Sequence, residues 1–280
     1  MKKFLLIVAL TCSLGAQGKK RIFVITDAEG IAGICHQDQT DPRDAEMRQL
    51  LTGEINAAVD GFFAGGADEV IVWDGHGSAT NLSAATIHPR AKLIMGPLPI
   101  LMTLERRYTA VAFVGQHAMA NVPNAIMAHS YSSLGIQDMK LNGKPVGEIE
   151  TRAALAGYYG SPVIFLSGDA AAARELLAIV PGAVTAVVKE GLMRNTCETL
   201  SAEAARALIR EKALASMALA GKLPPYRIEG PVTLEIENTT RGSLSPDARL
   251  IKGAEVVDDR TIRYHAESFV EAWKLFRLSR

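Results

Sequence analysis

Cysteine is scarce in this sequence, and neither sign of charge is in excess. The three cysteines, Cys12, Cys35 and Cys197, are too few for a disulfide-rich scaffold or for a zinc site with four thiolate ligands. Because 30 basic residues balance 30 acidic ones, the chain lacks the basic surface that general nucleic-acid binding requires. The sequence also has no internal repeat and no low-complexity tract. The sequence is therefore not that of a disulfide-rich scaffold, a four-thiolate zinc protein, a general nucleic-acid binder or a repeat protein.

Apolar residues, by contrast, are abundant. They make up 48 % of the 280 residues, whereas charged residues make up 21 %. This balance favours a folded chain with a substantial buried core over a disordered one, and the length suits one or two domains.

The amino terminus has the layout of a secretory signal peptide. Lys2 and Lys3 precede an unbroken apolar run over residues 4–10, and small residues follow up to Ala16. We expect residues 1–16 to be removed and the mature chain to be exported, either to the periplasm or out of the cell. Stable membrane insertion is not expected, because the run is much shorter than the roughly 20 residues that span a bilayer. Two alternatives are a lipoprotein signal at Cys12, which fits poorly, and a buried first strand.

Short apolar strands alternate with helical patterns over residues 21–188. The predicted strands are 21–26, 69–73, 92–95, 109–114, 162–166 and 184–188. Continuous apolar strands are typical of a sheet that is covered on both faces. The helices between them are delimited by typical cap and stop residues: Asp41-Pro42, Gly65-Gly66, Asp169 and Pro181-Gly182. This alternation predicts an α/β fold with a mainly parallel sheet in a three-layer αβα arrangement.

The pattern changes after about residue 195. An alanine-rich helix is expected from Ser201 to Gly221, followed by an alternating strand over 232–237. A second strand over 261–265 can pair with it, and a helix over 268–278 closes the chain. We therefore expect an α/β catalytic, metal-binding domain over residues 17–195 and a smaller C-terminal α+β domain over residues 196–280.

Ligand-type side chains follow the predicted strands at one edge of the sheet. Asp27 and Glu29 follow the first strand, and His76 and His117 follow two others, while Glu148 lies in the first turn of a crossover helix. Each alone has an ordinary structural interpretation as a helix cap, a turn residue or a helix-dipole partner. Together, these carboxylates would repel one another without a cation. Their joint placement predicts a site for a pair of divalent metals, with zinc as a suitable ion.

Five short motifs lie in this region. They are 26–33 (TDAEGIAG), 74–77 (DGHG), 115–118 (GQHA), 127–130 (MAHS) and 142–148 (NGKPVGE). In order and spacing they resemble the D-aminopeptidase family of zinc metallopeptidases, peptidase family M55. The resemblance extends from about residue 21 to the end of the sequence.

This resemblance implies two zinc ions per chain. Asp27 would bridge them, with Glu29 and His76 completing one site and His117 and Glu148 completing the other. It also implies the release of amino-terminal D-residues, such as D-Ala, from short peptide substrates. The family further suggests a ring-shaped homo-oligomer, a decamer in its best-known case.

The expected chemistry is hydrolysis of an amide. A water shared by two zinc ions loses a proton near neutral pH, and the resulting hydroxide can attack an amide carbonyl. His129, to whose position the resemblance gives a catalytic role, can donate a hydrogen bond to the oxyanion or protonate the leaving amine. Two alternatives stay open: a metal-dependent amidase or deacylase with another substrate, and a non-catalytic exported scaffold with a structural metal.

The other histidines and cysteines receive no role in the site. His36, His88 and His265 have no partners at ligand spacing. Cys35 and Cys197 can pair in an oxidising compartment, although the sequence fixes no distance between them.

Overall fold

Two β-sheets organise the chain in the computed structural model, which describes residues 18–279. The strands are β1 (Arg21–Thr26), β2 (Glu69–Trp73), β3 (Lys92–Ile94), β4 (Ala110–Gln116), β5 (Ile136–Leu141), β6 (Lys144–Pro145), β7 (Val163–Asp169), β8 (Val184–Met193), β9 (Thr196–Thr199), β10 (Val232–Asn238), β11 (Ala254–Val256) and β12 (Thr261–Ala266). The helices are α1 (Ala45–Ala64), α2 (Ile100–Leu104), α3 (Glu148–Tyr158), α4 (Ala170–Ile179), α5 (Ala202–Ser216) and α6 (Phe269–Leu278). The predicted signal peptide lies outside the described residues.

The larger sheet has seven strands in the order β3-β2-β1-β4-β7-β8-β9. All neighbouring strands are parallel except β9, which runs antiparallel to β8. The predicted α/β fold with a mainly parallel sheet is therefore confirmed. Strand β1 lies between β2 and β4, so the loops that follow these three strands emerge side by side at the carboxyl edge.

Both faces of this sheet are buried, and β1 shows why its sequence is continuously apolar. Successive side chains of a strand point to opposite faces. Ile22 and Val24 belong to the core under α1 and α5, whereas Phe23 and Ile25 belong to the core under α3 and α4. The strand thus contributes apolar surface to two layers of helices, as the three-layer prediction requires.

Side-chain caps define where the main helices begin. The Asp44 carboxylate accepts a hydrogen bond from the Met47 amide at 2.8 Å, and α1 ends at Gly65. The predicted cap at Asp169 is confirmed, because its carboxylate accepts a hydrogen bond from the Ala172 amide at 2.6 Å. Such caps satisfy amide groups that have no partner within the helix.

The second sheet is antiparallel, with five strands in the order β11-β12-β10-β5-β6. Its β10 and β12 pair as expected, from Val232 opposite Ala266 to Glu237 opposite Thr261. Sheet membership does not change at residue 195, however. Strands β5 and β6 precede that position, while β9 belongs to the larger sheet and α5 packs against α1. The residues of β5 mix polar and apolar side chains, so no continuous apolar run marks the strand in the sequence.

Two further features connect distant parts of the chain. Cys35 and Cys197 form a disulfide with a Cα–Cα distance of 5.6 Å, which joins the loop after β1 to β9. Helix α6 packs on β10, β12 and α3, so the end of the chain returns to the edge where α3 begins. None of the helices within residues 18–279 combines the length and apolar character needed to cross a membrane.

Candidate metal centre

The predicted ligand residues converge at the carboxyl edge of the larger sheet. Asp27 and Glu29 follow β1, His76 lies three residues after β2, and His117 follows β4 directly. Glu148 is the first residue of α3. All five side chains are buried. Topology explains their meeting, because β1 is flanked by β2 and β4 and the three loops turn over the same sheet edge.

Glycine permits the close approach of these loops. A Cβ atom on Gly115 would lie 2.1 Å from the Asp27 carbonyl oxygen, and the residue has a φ of +79°, which favours glycine. A Cβ atom on Gly75 would lie 2.4 Å from the Thr26 carbonyl oxygen. The loop backbones therefore pack at distances that other residues would prevent, which brings their side chains within ligand range.

The carboxylates and imidazoles form one continuous cluster. His76 Nδ1 lies 3.2 Å from Asp27 Oδ1 and 3.1 Å from Glu29 Oε2. On the other side, His117 Nε2 lies 3.8 Å from Asp27 Oδ2 and 3.4 Å from Glu148 Oε1. Asp27 therefore stands between two histidines, with a different carboxylate oxygen directed to each.

Backbone carbonyls assign the tautomer of each histidine. The Thr40 carbonyl accepts from His76 Nε2 at 2.9 Å, and the Ala118 carbonyl accepts from His117 Nδ1 at 2.9 Å. The Met127 carbonyl accepts from His129 Nδ1 at 2.8 Å. A neutral imidazole has one N–H, so in the neutral form that a metal ligand requires, the other nitrogen of each ring has its lone pair directed toward the carboxylates.

These residues fit a divalent cation. Glu29 Oε2 and His117 Nε2 are buried and have no hydrogen-bond partner within residues 18–279. Although Glu29 Oε2 is close to His76 in distance, the angle does not make a hydrogen bond. Buried polar atoms without partners are costly unless something else binds them. Carboxylate oxygen and imidazole nitrogen are normal zinc ligands, so a bound cation explains both atoms.

His129 lies closer to the cluster than the expected ligand set implies. Its ring stacks on that of His117, with a centroid distance of 4.0 Å, and its Nε2 is 3.8 Å from Glu148 Oε1. Potential ligand atoms lie within 4.8 Å of one another in two overlapping groups: Asp27, Glu29 and His117, and His117, His129 and Glu148. His129 is thus within ligand distance of His117 and Glu148.

The loop that carries His129 has an unusual backbone. Met127 and Tyr131 have φ values of 46° and 63°, which residues other than glycine rarely adopt. The turn at Tyr131 directs its amide to Glu148 Oε1 at 2.9 Å. Such strain is typical of segments that the surrounding structure holds for function.

Arg152 is a site residue that was missed by sequence reasoning. It is buried, and its guanidinium donates to Glu148 Oε2 at 2.6 Å and to Asp27 Oδ2 at 3.4 Å. It also donates to Gln116 Oε1 at 3.4 Å. Its position four residues after Glu148 in a helix was a readable signal, because such residues share a helix face.

Lys189 is the second residue that was missed, and no sequence signal pointed to it. This buried lysine of β8 donates to the backbone carbonyls of Glu29, at 2.5 Å, and Ile31, at 2.9 Å, and also to that of Ile34. The Glu54 carboxylate accepts from the Ala32 amide in the same loop at 2.7 Å. Together these groups hold the loop that presents Glu29.

The electrostatics of the cluster reflect its excess of carboxylates. Burial opposes the charged form of His76, but the charge of Glu29 and the hydrogen bond with Asp27 raise its pKa to about 11. Burial likewise opposes the charged form of His117, yet its interactions with Glu148 raise its pKa to about 10. Without a metal, both imidazoles are therefore in the positively charged imidazolium form at neutral pH.

The pKa values of Glu148, Asp27 and His129 are lowered instead of raised. Burial alone would raise the pKa of Glu148, but the Arg152 charge lowers it to about 2. Asp27 has its pKa held well below its usual range, despite burial, by the hydrogen bond with His76 and by nearby positive charges. Burial and the charge of His117 lower the pKa of His129, which is therefore neutral at pH 7.

The other histidines lie outside the cluster. His36 Nδ1 accepts from the Asp38 amide, His88 pairs with Asp60, and His265 pairs with Glu255. They are bonded to residues that have no place in the metal site.

A cavity of about 870 Å³ lies beside the cluster. Asp27, Glu29 and His129 are among the residues that line it. Its size is in the range of small-molecule sites. A mainly parallel α/β sheet with a buried set of nitrogen and oxygen ligand atoms beside a cavity is an arrangement that metal-dependent hydrolases use.

Known metallopeptidases are similar to this chain in sequence and in structure. A family model described as D-aminopeptidase matches residues 20–278. The D-aminopeptidase of Bacillus subtilis (strain 168) is 31 % identical over 261 residues, covering 91 % of this chain and 94 % of its own. The solved structure of the Zn-dependent D-aminopeptidase DppA from Bacillus subtilis, described as a self-compartmentalizing protease, matches with a TM-score of 0.84. That structure is 30 % identical and covers 92 % of this chain and 96 % of its own.

The chain therefore belongs to the D-aminopeptidase family, peptidase family M55, as the five motifs indicated. It is an enzyme, a hydrolase of the metallo-aminopeptidase type.

Metal binding is expected to release about two protons per chain at pH 7, because metal ligands must be deprotonated. His76 and His117, with pKa values raised to about 11 and about 10, carry those protons in the metal-free protein. Raised pKa values make protons stronger competitors, so zinc affinity falls as the pH falls. Between pH 8 and pH 6 the decrease is about 100-fold per unit, or tenfold for each proton. Titration calorimetry in buffers of different ionisation enthalpy measures the release.

The exposed His265 provides the control, since His265→Gln leaves the two imidazoles of the cluster in place. Zinc binding with no net proton release at pH 7 would contradict the assignment of His76 and His117.

Proposed function

We propose that this chain is a zinc-dependent D-aminopeptidase that releases amino-terminal D-residues, such as D-Ala, from short peptides. The observation that carries the proposal is the buried cluster of candidate ligands beside a cavity, in which Glu29 Oε2 and His117 Nε2 have no hydrogen-bond partner within residues 18–279. The similarity to a Zn-dependent D-aminopeptidase supplies the substrate class and the metal. The cavity volume of about 870 Å³ is in the range of small-molecule sites and suits a short peptide.

We propose two zinc ions per chain. Asp27 has one carboxylate oxygen near His76 and the other near His117, which is the arrangement expected of a bridging ligand. Glu29 then completes one site and Glu148 the other. Arg152 contacts both Asp27 and Glu148, so it holds the two ligands in a fixed relation and offsets part of their charge.

The zinc ions would supply two effects when bound: they lower the pKa of a water molecule and polarise the scissile carbonyl. His129 supplies the proton transfer in this proposal. Its Nδ1 donates to the Met127 carbonyl, and burial lowers its pKa, so its Nε2 is an unprotonated acceptor beside the cluster. It can take a proton from the attacking water at Nε2 and deliver it to the leaving amine.

Activity should depend on zinc and on the configuration of the first residue. We expect the zinc-loaded protein to cleave D-Ala-D-Ala and to cleave L-Ala-L-Ala far more slowly, as measured by release of alanine. Asp27→Ala should lose most of the bound zinc, since the bridge contributes to both sites, and should abolish hydrolysis. Cleavage of N-acetylated D-Ala amides at a rate equal to that of the free amines would favour an amidase or deacylase instead. Zinc binding without any hydrolysis would favour a scaffold.

His129→Ala should lower kcat by roughly 10²- to 10⁴-fold, which is the usual contribution of a positioned proton-transfer group. Zinc content and melting temperature should stay close to those of the native protein, because this proposal gives His129 no metal. Single-turnover and steady-state hydrolysis of D-Ala-D-Ala provide the rates, and elemental analysis provides the zinc content. A variant that keeps full activity, or that loses zinc in proportion to activity, removes His129 from proton transfer.

We also propose that the chain assembles as a ring-shaped homo-oligomer, a decamer by analogy with its family. The support is that the similar structure is described as a self-compartmentalizing protease. A native mass measurement tests this assembly, and a monomeric mass would contradict it.

Export is a further part of the proposal, and it rests on the signal-like residues 1–16. The disulfide between Cys35 and Cys197 supports it, because disulfides persist mainly in oxidising compartments. Protein isolated from its native host should begin near Gln17 and contain linked peptides bearing the two cysteines. Terminal sequencing and non-reducing peptide mapping measure both. A protein that keeps Met1 and remains in the cytoplasm would contradict export without affecting the proposed chemistry.

A further inference from the structure

The cavity over the metal centre extends well beyond the ligands to the last helix of the chain. Its lining includes Lys274 and Arg277 of α6 and the apolar side chains of Leu98, Ile100 and Leu101. An occupant whose amino end lies at the metal centre would therefore extend its other end toward α6.

The position of α6 is fixed by packing on the same elements that build the site. Trp273 is buried and packs against Tyr131 with a ring-centroid distance of 5.1 Å, and Tyr131 in turn donates its amide to Glu148. Lys274 follows Trp273, and Arg277 lies three residues further along on the same helix face. The two cations are thus held at a defined place relative to the ligand cluster.

Charge is distributed unevenly in this cavity. Its carboxylates are the three predicted ligands and Asp74, and Asp74 is fully buried and bonded to Asn81 and the Leu82 amide. Within residues 18–279, neither Lys274 nor Arg277 has an acidic partner, although both are exposed. The α6 part of the cavity lining therefore offers two positive charges that no carboxylate of the described residues neutralises.

We propose that Lys274 and Arg277 bind the carboxyl-terminal carboxylate of a short peptide whose amino-terminal residue is cleaved at the metal centre. The inference rests on the proposed function and deepens it, because it makes the substrate a peptide with a free carboxylate at a limited distance from the cleaved bond. A short D-peptide has the required parts: an amine at one end, an apolar body and an anion at the other end. Peptides blocked as amides lack the anion and leave both cations without a partner.

The test compares D-Ala-D-Ala with D-Ala-D-Ala amide on the zinc-loaded protein, since the two substrates differ at the terminal group. We expect kcat/KM to be about tenfold higher for the free acid than for the amide. This ratio corresponds to a contact weaker than a buried hydrogen bond to a charged group and stronger than an exposed ion pair. Most of the difference should appear in KM, because the contact is formed equally in the bound substrate and the transition state. The preference should shrink as the salt concentration rises.

Variants of α6 show whether these two cations cause the preference. The double variant Lys274→Gln with Arg277→Gln should bring the acid-to-amide ratio close to one, and Lys274→Glu with Arg277→Glu should reverse it. Lys222→Gln is the matched control, because Lys222 is an exposed cation outside the cavity, and it should leave the ratio unchanged. Zinc content and native mass are measured for each variant.

Two outcomes overturn the inference: a ratio near one in the native protein, or a large ratio that persists in both double variants. The ratio in the native protein and its salt dependence decide the matter even where a variant fails to assemble. Failure of the proposed function looks different, because neither the acid nor the amide would then be hydrolysed with zinc bound.

Discussion

Repulsion among three buried carboxylates is the constraint on which the rest of this structure depends. Asp27, Glu29 and Glu148 are buried in one cluster, and like charges in such a place cannot all persist without positive charge. Arg152 supplies one positive charge, and in the absence of metal the imidazoles supply more by taking up protons. The same balance explains why a divalent cation suits the site: it replaces the protons and satisfies the ligand atoms that are otherwise unpartnered.

Holding these charges together requires support from parts of the chain that carry no catalytic group. Lys189 binds the carbonyls of the loop that presents Glu29, and the disulfide from Cys35 joins the end of that loop to β9. Asp74 fixes the next loop by accepting hydrogen bonds from Asn81, whose side chain also donates to the His76 carbonyl. The ligands are therefore positioned by hydrogen bonds to their backbone as well as by contacts between their side chains.

The second sheet and α6 support the loop that carries His129 and the start of α3. Strands β5 and β6 lie in the chain between the loop that carries His129 and the helix that begins with Glu148, so pairing within that sheet fixes both ends. Helix α6 rests on this sheet and supplies Trp273, which packs on Tyr131. The smaller sheet thus supports the helix α6 and the loop before β5, both of which line the cavity.

The sequence alone was sufficient for the sheet, its main helices and the family, because continuous apolar strands and five local motifs are properties of neighbouring residues. The candidate ligand residues could be named for the same reason, since each follows a recognisable strand or begins a helix. Their roles, however, depend on distances between loops, and those arise from the close approach at Gly75 and Gly115. Arg152 had a local signal in its helix spacing, whereas Lys189 had none, since it reaches its three carbonyls from a strand far along the chain. The partner of Cys35 and the place of β5 were likewise decided by tertiary structure, because long-range pairing is determined by the packing of the whole chain and not by the residues beside each position.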